Sequence, residues 1–232
     1  MDIPYIIVAG GKGLRMGANI PKQYIEIEGK PVIYHTIGNL IKAGIKRFIL
    51  VIDMQYLDYL NKILEPLAAD IKYVSGGKER FESVLNGLEC LDEQDMYVGI
   101  HDSVRPLVKK QMVDRLHKSI LAGEASGVIP VLPAKDTMKT ITKGLVGSTI
   151  DRSTIRRVGT PQLVKVKDYL EAVANIGVMI NNATDDASIL EMNGCRVDVV
   201  DGDEECFKIT DYLDLELFKL LLGRQNENRD RL

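Results

Sequence analysis

The chain is poor in cysteine and histidine and has no surplus of positive charge, and each shortage removes a class of function. Its three cysteines, Cys90, Cys195 and Cys206, lie far apart in 232 residues with no Cys-x-x-Cys spacing. A sparse, odd set of this kind excludes a disulfide framework or a thiolate zinc site and points to reduced thiols. Histidine is equally scarce. His35 and His117 fall within helical patterns and read as packing or surface positions, while His101 stands beside Asp102 and reads as a residue that orients a loop. No second histidine joins it to make a metal site. The 30 Lys and Arg are outnumbered by 33 Asp and Glu, a net charge of −3. General nucleic-acid binding, which needs a basic face, is therefore not expected. No apolar run approaches the roughly 18 residues of a membrane helix, so no membrane partner is expected. An apolar strand begins by Ile3 without a basic leader, and a cytoplasmic location is expected.

What remains is ordinary for a globular protein with a sizeable core: 45% apolar and 27% charged residues. The uninterrupted apolar run at 5–9 reads as a strand buried on both faces, 47–52 as a second buried strand, and 71–74, 97–101 and 127–132 as further strands. Between them, helix-spaced apolar residues predict helices over about 31–43, 56–68 and 79–91, with Gly44 as a C-cap. Strands alternating with helices imply βαβ units, hence a mainly parallel sheet with helices on both faces, an α/β Rossmann-like fold. From Thr137 to Val158 the helix period vanishes and short β-prone stretches surround Gly144 and Gly147, which predicts a projecting β-hairpin arm. Helices are expected again over 165–174, 185–192 and 211–222, a strand over 196–200, and a frayed polar tail over 223–232. With no repeat and no low-complexity linker, residues 1–232 read as one domain carrying an arm.

The chemistry is concentrated in a few places. Ala9, Gly10, Gly11 and Gly13 follow the first strand directly, where glycines let backbone N–H groups approach a phosphate or a base. No Gly-Lys-Ser/Thr follows, which rules out a Walker A loop, and Met16 breaks the dinucleotide fingerprint. Taken alone, the glycines suit a tight turn. Arg15 and Lys22, two cations close behind them in an acidic chain, turn the reading towards a polyphosphate site. Elsewhere Thr184-Asp185-Asp186 reads as a helix cap, Asp201 to Glu205 as a solvated acidic turn, and Cys206 as an inert thiol.

The stretch AGGKGLRMG followed by PKQY resembles the opening of nucleotidyltransferases that join a nucleoside triphosphate to a sugar or polyol phosphate. Gly76-Gly77-Lys78-Glu79-Arg80 with Ser83, His101 to Pro106, Lys135 to Lys139, Asp151-Arg152, Thr160-Pro161-Gln162, Thr184 to Ser188 and Lys208-Ile209-Thr210 follow in the order of one family. That family is the 2-C-methyl-D-erythritol 4-phosphate cytidylyltransferases, with ribitol-5-phosphate cytidylyltransferases as close relatives, and the likeness runs from residue 5 to about 218.

The resemblance implies a nucleotide-diphospho-sugar transferase type of fold and transfer of CMP from CTP to 2-C-methyl-D-erythritol 4-phosphate, with Mg²⁺ expected on the triphosphate, near Asp102. It implies catalytic roles for Arg15, Lys22, Arg152 and Lys208. Ala9, Gly10, Gly11, Gly13, Gly77, Lys78, Ser83 and Asp102 match nucleotide-binding positions. Asp102, Arg105, Thr137, Arg152, Thr160 and Lys208 match substrate-binding ones, and a homodimer joined through the arm is implied. Ribitol-5-phosphate as acceptor is the alternative within the class; a CTP-binding module without turnover is the alternative outside it. Lys78, Gly159 and Cys206-Phe207 depart from the family pattern, and the departures at 159 and 206–207 bear on polyol preference.

Overall fold

Residues 2–11 and 20–229 are described by a computed structural model, 225–229 by backbone alone. The first strand, β1 (Tyr5–Val8), is flanked in parallel by β4 (Arg47–Ile52) and β6 (Tyr97–Asp102), and β5 (Asp70–Ser75) extends the parallel set beyond β4. Two short strands, β2 (Glu26–Ile27) and β3 (Lys30–Pro31), form a separate antiparallel ribbon. Beyond β6 the sheet becomes mixed. The strand β11 (Gln162–Lys165) lies antiparallel between β6 and β7 (Gly127–Pro133), and β12 (Val197–Asp201) pairs with β7 in parallel. Among the described residues the main sheet has eight strands.

Helices α1 (Val32–Lys42), α2 (Leu57–Leu64) and α4 (Lys110–Leu121) cover one face; α3 (Arg80–Leu88), α5 (Val166–Ile176) and α6 (Asp186–Met192) cover the other. Strand periodicity explains why the apolar runs are unbroken. Tyr5 and Ile7 enter the first core with Ile33, Ile37 and Leu116, whereas Ile6 enters the second with Val84 and Leu190. A third cluster seats the last helix, α7 (Tyr212–Arg229), through Leu215, Phe218 and Leu222 against Val32, Val104 and Leu107. No helix among the described residues is long and apolar enough to cross a membrane.

Several expectations need correction. The helix read over 56–68 is shorter, because 3₁₀ turns at Met54–Tyr56 and Glu65–Leu67 bracket α2. The expected arm of 137–158 contains a hairpin of β8 (Lys139–Thr142) and β9 (Leu145–Thr149), but β10 (Arg156–Val158) has already rejoined the main sheet beside β7. The segment expected to fray continues as helix through Arg229. The strand β11 had no place in the sequence reading, which started a helix at Lys165.

Close packing at β6 fixes the centre of the sheet. Tyr5 is fully buried with its ring over Gly99, where a Cβ would stand 2.7 Å from the nearest ring carbon, and its hydroxyl lies 3.1 Å from His117 Nε2. Gly99→Ala should force the ring aside and destabilise the fold by about 1–3 kcal/mol, the range for overpacking. Urea unfolding should show this as a lower midpoint with an unchanged m-value; an unchanged midpoint would mean that the ring moves freely.

Candidate active site

The parallel strands deliver three loops to one edge of the sheet. Val8 at the end of β1 stands opposite Asp102 at the end of β6, so the glycine loop and the segment after Asp102 begin side by side. The segment after β5 comes equally close: a Cβ on Gly10 would lie 3.4 Å from the Gly76 Cα. These loops line a cleft of about 1080 Å³ with Lys22, Ser83 and Lys208. The carboxyl ends of parallel strands are where an open α/β sheet places its ligand.

Gln23, which the sequence reading left without a role, shapes the glycine loop. Its buried Nε2 donates to the carbonyls of Ala9 at 2.6 Å and Gly11 at 3.0 Å. Lys22 Nζ donates to the carbonyls of Ile209 at 3.1 Å and Thr210 at 3.4 Å, tying the loop after β1 to the segment before α7. Gly13 and Arg15 lie outside the described residues.

Asp102 is the electrostatic centre. Its side chain receives Lys208 Nζ and Arg105 Nε, each at 3.1 Å, with Arg80 Nε at 3.8 Å. Burial opposes its ionisation, but Lys208, Arg80 and Arg105 outweigh burial and hold the carboxyl well below the usual carboxylate range. Arg80 turns its other face to the fully buried Asp186, with Nη1 and Nη2 at 3.0 and 2.7 Å from the two oxygens. Tyr169 donates to Asp186 as well, at 3.2 Å. Burial works against the Arg80 charge, yet Asp186 and Asp102 raise its pKa above the ordinary guanidinium value.

A buried polar chain fixes the floor beneath these groups. The Asp102 N–H donates to Thr160 Oγ1 at 3.2 Å, and Thr160 Oγ1 lies 2.8 Å from His101 Nδ1. His101 Nε2 lies 3.1 Å from the Arg105 carbonyl, which can only accept. The neutral ring is thus assigned its proton on Nε2, and Thr160 donates to Nδ1. His101 does orient the loop, as the sequence suggests.

A second cavity of about 300 Å³ adjoins the cleft, lined by Gly159, Thr160, Thr184 and Asp185 together with Arg105. Arg80, Asp102 and Lys208 line both spaces and form their junction. Asp185 caps α6 by accepting from the Ser188 N–H at 3.0 Å, as read from sequence, and Gln162 Nε2 holds its other oxygen at 2.8 Å. The Cys206 thiol is buried, which raises its pKa to about 12, in keeping with an inert role. The acidic turn is more engaged than expected: Glu204 binds Lys135 and Arg157, while Asp203 and Glu205 bind Lys109.

Of the sequence candidates, Ala9, Gly10, Gly11, Lys22, Gly77, Lys78, Ser83, Asp102, Arg105, Thr160 and Lys208 meet around the two cavities. Thr137 and Arg152 do not. Both are exposed on the arm side, where Arg152 donates to the Lys135 carbonyl at 3.2 Å. The reading missed Arg80 and Asp186 as site residues, because an ion pair 106 positions apart leaves no local spacing.

The family model for IspD, 2-C-methyl-D-erythritol 4-phosphate cytidylyltransferase, matches residues 3–224. A cytidylyltransferase of that name from Bacteroides thetaiotaomicron is 36% identical, over 94% of this chain and 98% of its own length. A bifunctional IspD/IspF enzyme of Rhodospirillum rubrum is 37% identical over 97% of this chain, which spans only 58% of that longer relative. Among solved structures, 4-diphosphocytidyl-2C-methyl-D-erythritol synthase from Anaerococcus prevotii superposes with a TM-score of 0.84 at 30% identity, over 96% of each chain.

Burial lowers the His101 pKa from 6.5 to about 4. Between those values the unfolded chain binds a proton that the folded chain refuses, so stability is full above pH 6.5 and falls as the pH drops towards 4. An NMR titration of the folded protein should show the His101 ring still neutral at pH 5. A ring that titrates near 6.5 would contradict the polar chain described above.

Proposed function

We infer, since the chain belongs to the 2-C-methyl-D-erythritol 4-phosphate cytidylyltransferase family, how its two adjoining cavities divide a reaction between two phosphorylated substrates. The activity is CTP-dependent cytidylyl transfer to 2-C-methyl-D-erythritol 4-phosphate in isoprenoid precursor synthesis. The larger cleft takes CTP, its base towards Gly77 and Ser83 and its triphosphate along the glycine loop. The smaller cavity takes the polyol phosphate. One observation carries this division: Lys208, paired with Asp102 at 3.1 Å, lines both spaces.

The acceptor phosphate is ionised at neutral pH, so its oxygen attacks the α-phosphorus without a general base. A new P–O bond forms as the bond from the α-phosphorus to the bridging oxygen breaks, and pyrophosphate leaves. Such a transfer needs in-line positioning and neutralisation of developing charge. Lys22 and Lys208 supply that charge, and Arg15 is assigned to the same task from the sequence.

Among the described residues no group of three or more His, Cys, Asp or Glu side chains is placed to hold a metal. Asp102 already faces three cations, which makes it a poor ligand for a fourth. Mg²⁺, brought in with the triphosphate, would neutralise charge on the leaving group. The free cysteines suit a reducing compartment, and a cytosolic location belongs to the same reading.

Pyrophosphate release from CTP should be faster with 2-C-methyl-D-erythritol 4-phosphate than with ribitol 5-phosphate. The opposite order would favour the ribitol enzyme, and CTP binding without release would favour a non-catalytic module. Lys22→Ala should lower kcat by about 10²–10³-fold, the cost of losing one donor aimed at transition-state charge. A raised KM for CTP with kcat intact would reduce Lys22 to a uniform binding contact.

The arm belongs to the proposal as well. A lone two-stranded hairpin is marginal in water, and Ile141, Leu145 and Val146 on this one are 61%, 73% and 66% exposed. A second copy of the chain would cover them in a two-fold homodimer. Thr137 and Arg152, remote from their own cleft, would then reach the partner's acceptor cavity. Deleting 143–148 should weaken the dimer and raise KM for the polyol phosphate more than KM for CTP. A fully active monomer in sedimentation of the intact protein at micromolar concentration would defeat this arrangement.

A further inference from the structure

Three cations meet at Asp102, and among the described residues Arg80 alone of the three also faces a second carboxylate. Its Nη1 and Nη2 lie 3.0 and 2.7 Å from the two oxygens of Asp186, the forked pairing that suits a guanidinium. Its Nε faces Asp102 Oδ1 at 3.8 Å, too long for a hydrogen bond. The other oxygen, Oδ2, is taken by Arg105 Nε and Lys208 Nζ, each at 3.1 Å. Arg80 is therefore strung between two carboxylates and engaged with one.

Asp186 is in no position to yield. It is fully buried as the first residue of α6 and accepts from the Tyr169 hydroxyl at 3.2 Å. The turn that carries it is fixed from β11, where Gln162 Nε2 donates to Asp185 at 2.8 Å and Gln162 Oε1 accepts from the Ala187 N–H at 2.9 Å. The strand β11 pairs with β6, which ends in Asp102, so both carboxylates are set on one frame. Lys208 is held less firmly. It is the most exposed of the three cations, at 42% of its side chain, and Asp102 is its one acidic partner among the described residues. An arginine released from Asp186 would close on Asp102 with two nitrogens, a geometry that a lysine cannot match. Lys208 would then be pushed towards solvent.

We propose that Asp186 is a positioning residue for Lys208: by engaging both terminal nitrogens of Arg80 it keeps that guanidinium off Asp102, and so keeps Lys208 at the junction of the two cavities. This rests on the reading of that junction as the place of phosphoryl transfer and goes beyond it by assigning how its lysine is retained. Asp186 lines neither cavity, so its effect on the reaction passes through Arg80 and Asp102. The exchange would matter because the two cations differ. Lys208 carries a compact charge on a flexible stem and can follow a phosphate from one space to the other, whereas Arg80 is a rigid fork at the start of α3.

The test is steady-state pyrophosphate release from CTP and 2-C-methyl-D-erythritol 4-phosphate. Asp186→Asn keeps the size of the side chain and removes the charge that claims Arg80. It should lower kcat about tenfold, short of the 10²–10³-fold range for losing such a donor outright, with KM for CTP within about twofold of wild type. Adding Arg80→Gln removes the competitor too, and the double variant should regain much of the lost kcat. A pair that merely staples α3 to α6 predicts no rescue; a double variant no better than Asp186→Asn overturns the proposal, as does an unimpaired Asp186→Asn. If Asp186→Asn leaves Arg80 unpaired and does not fold, the double variant, neutral at both positions, still decides. Its kcat should lie within about tenfold of wild type, above the loss expected for a missing donor, and a lower value is fatal. Acylation of Lys208 by a limiting activated ester, mapped by mass spectrometry, reads the pairing without turnover. Asp186→Asn should react faster than wild type and the double variant at the wild-type rate; equal rates in wild type and Asp186→Asn, or a double variant as fast as Asp186→Asn, overturn the proposal. Absence of pyrophosphate release from wild type would count against the reaction alone, since the labelling needs none.

Discussion

A carboxylate buried at the meeting point of three positive groups governs the architecture of this cleft. Asp102 could not remain ionised there alone, because taking an isolated charge out of water is costly. Lys208, Arg105 and Arg80 make its burial possible, and Asp102 in turn lets three cations crowd into one place. Each comes from a different part of the fold: the start of α3, the loop after β6 and the segment after β12. The pairing therefore does structural work before any substrate arrives. It pins the helix and the two loops together and sets the spacing of positive charge. Preorganised charge of this kind reduces the rearrangement needed during reaction. Arg80 extends the arrangement by binding Asp186 with its other edge, which couples the first turns of α3 and α6 beside the smaller cavity.

The parts of this design visible in the sequence are those with a local signature. The apolar runs ending at Val8 and Asp102 mark strands buried on both faces, and the glycines after Val8 mark a loop needing close backbone approach. Asp185 three residues before Ser188 marks a helix start. The hidden parts are those made by distance. Gln162–Lys165 is four residues long, too short for a period, and becomes a strand because β6 and β7 need a partner between them. The Arg80–Asp186 pair joins two helix starts that only the folded sheet brings together. Gln23 is similar, since its role depends on two carbonyls behind it in the chain.

The departures at 159 and 206 become intelligible at the same level. Cys206 serves the site through its main chain, since its carbonyl accepts from Arg105 Nη1 at 3.1 Å. Its thiol donates to the Thr160 carbonyl at 3.5 Å, inside the core. The Gly159 N–H donates to the Pro130 carbonyl at 3.0 Å, and a Cβ there would lie 3.9 Å from Arg105 Nη1. Neither position presents a polar side-chain group to the smaller cavity. Changes there alter shape around Arg105 and leave the charge pattern intact.

The way the arm is attached has a consequence for how such enzymes diversify. It leaves the sheet after Pro133 and returns at Arg156, and these two residues face one another in the β7–β10 ladder. The irregularity of the returning strand is absorbed just beyond: from Val158 to Leu163 it advances five residues while β7 covers the three from Val131 to Val128. The polar chain around Thr160 therefore sits on the far side of a closed junction. Whatever is spliced between 133 and 156 meets the same clamp, and lengthening a closed loop costs only slowly more in entropy. The arm can thus lengthen or shorten between these two residues without shifting the register of the strands that carry Thr160.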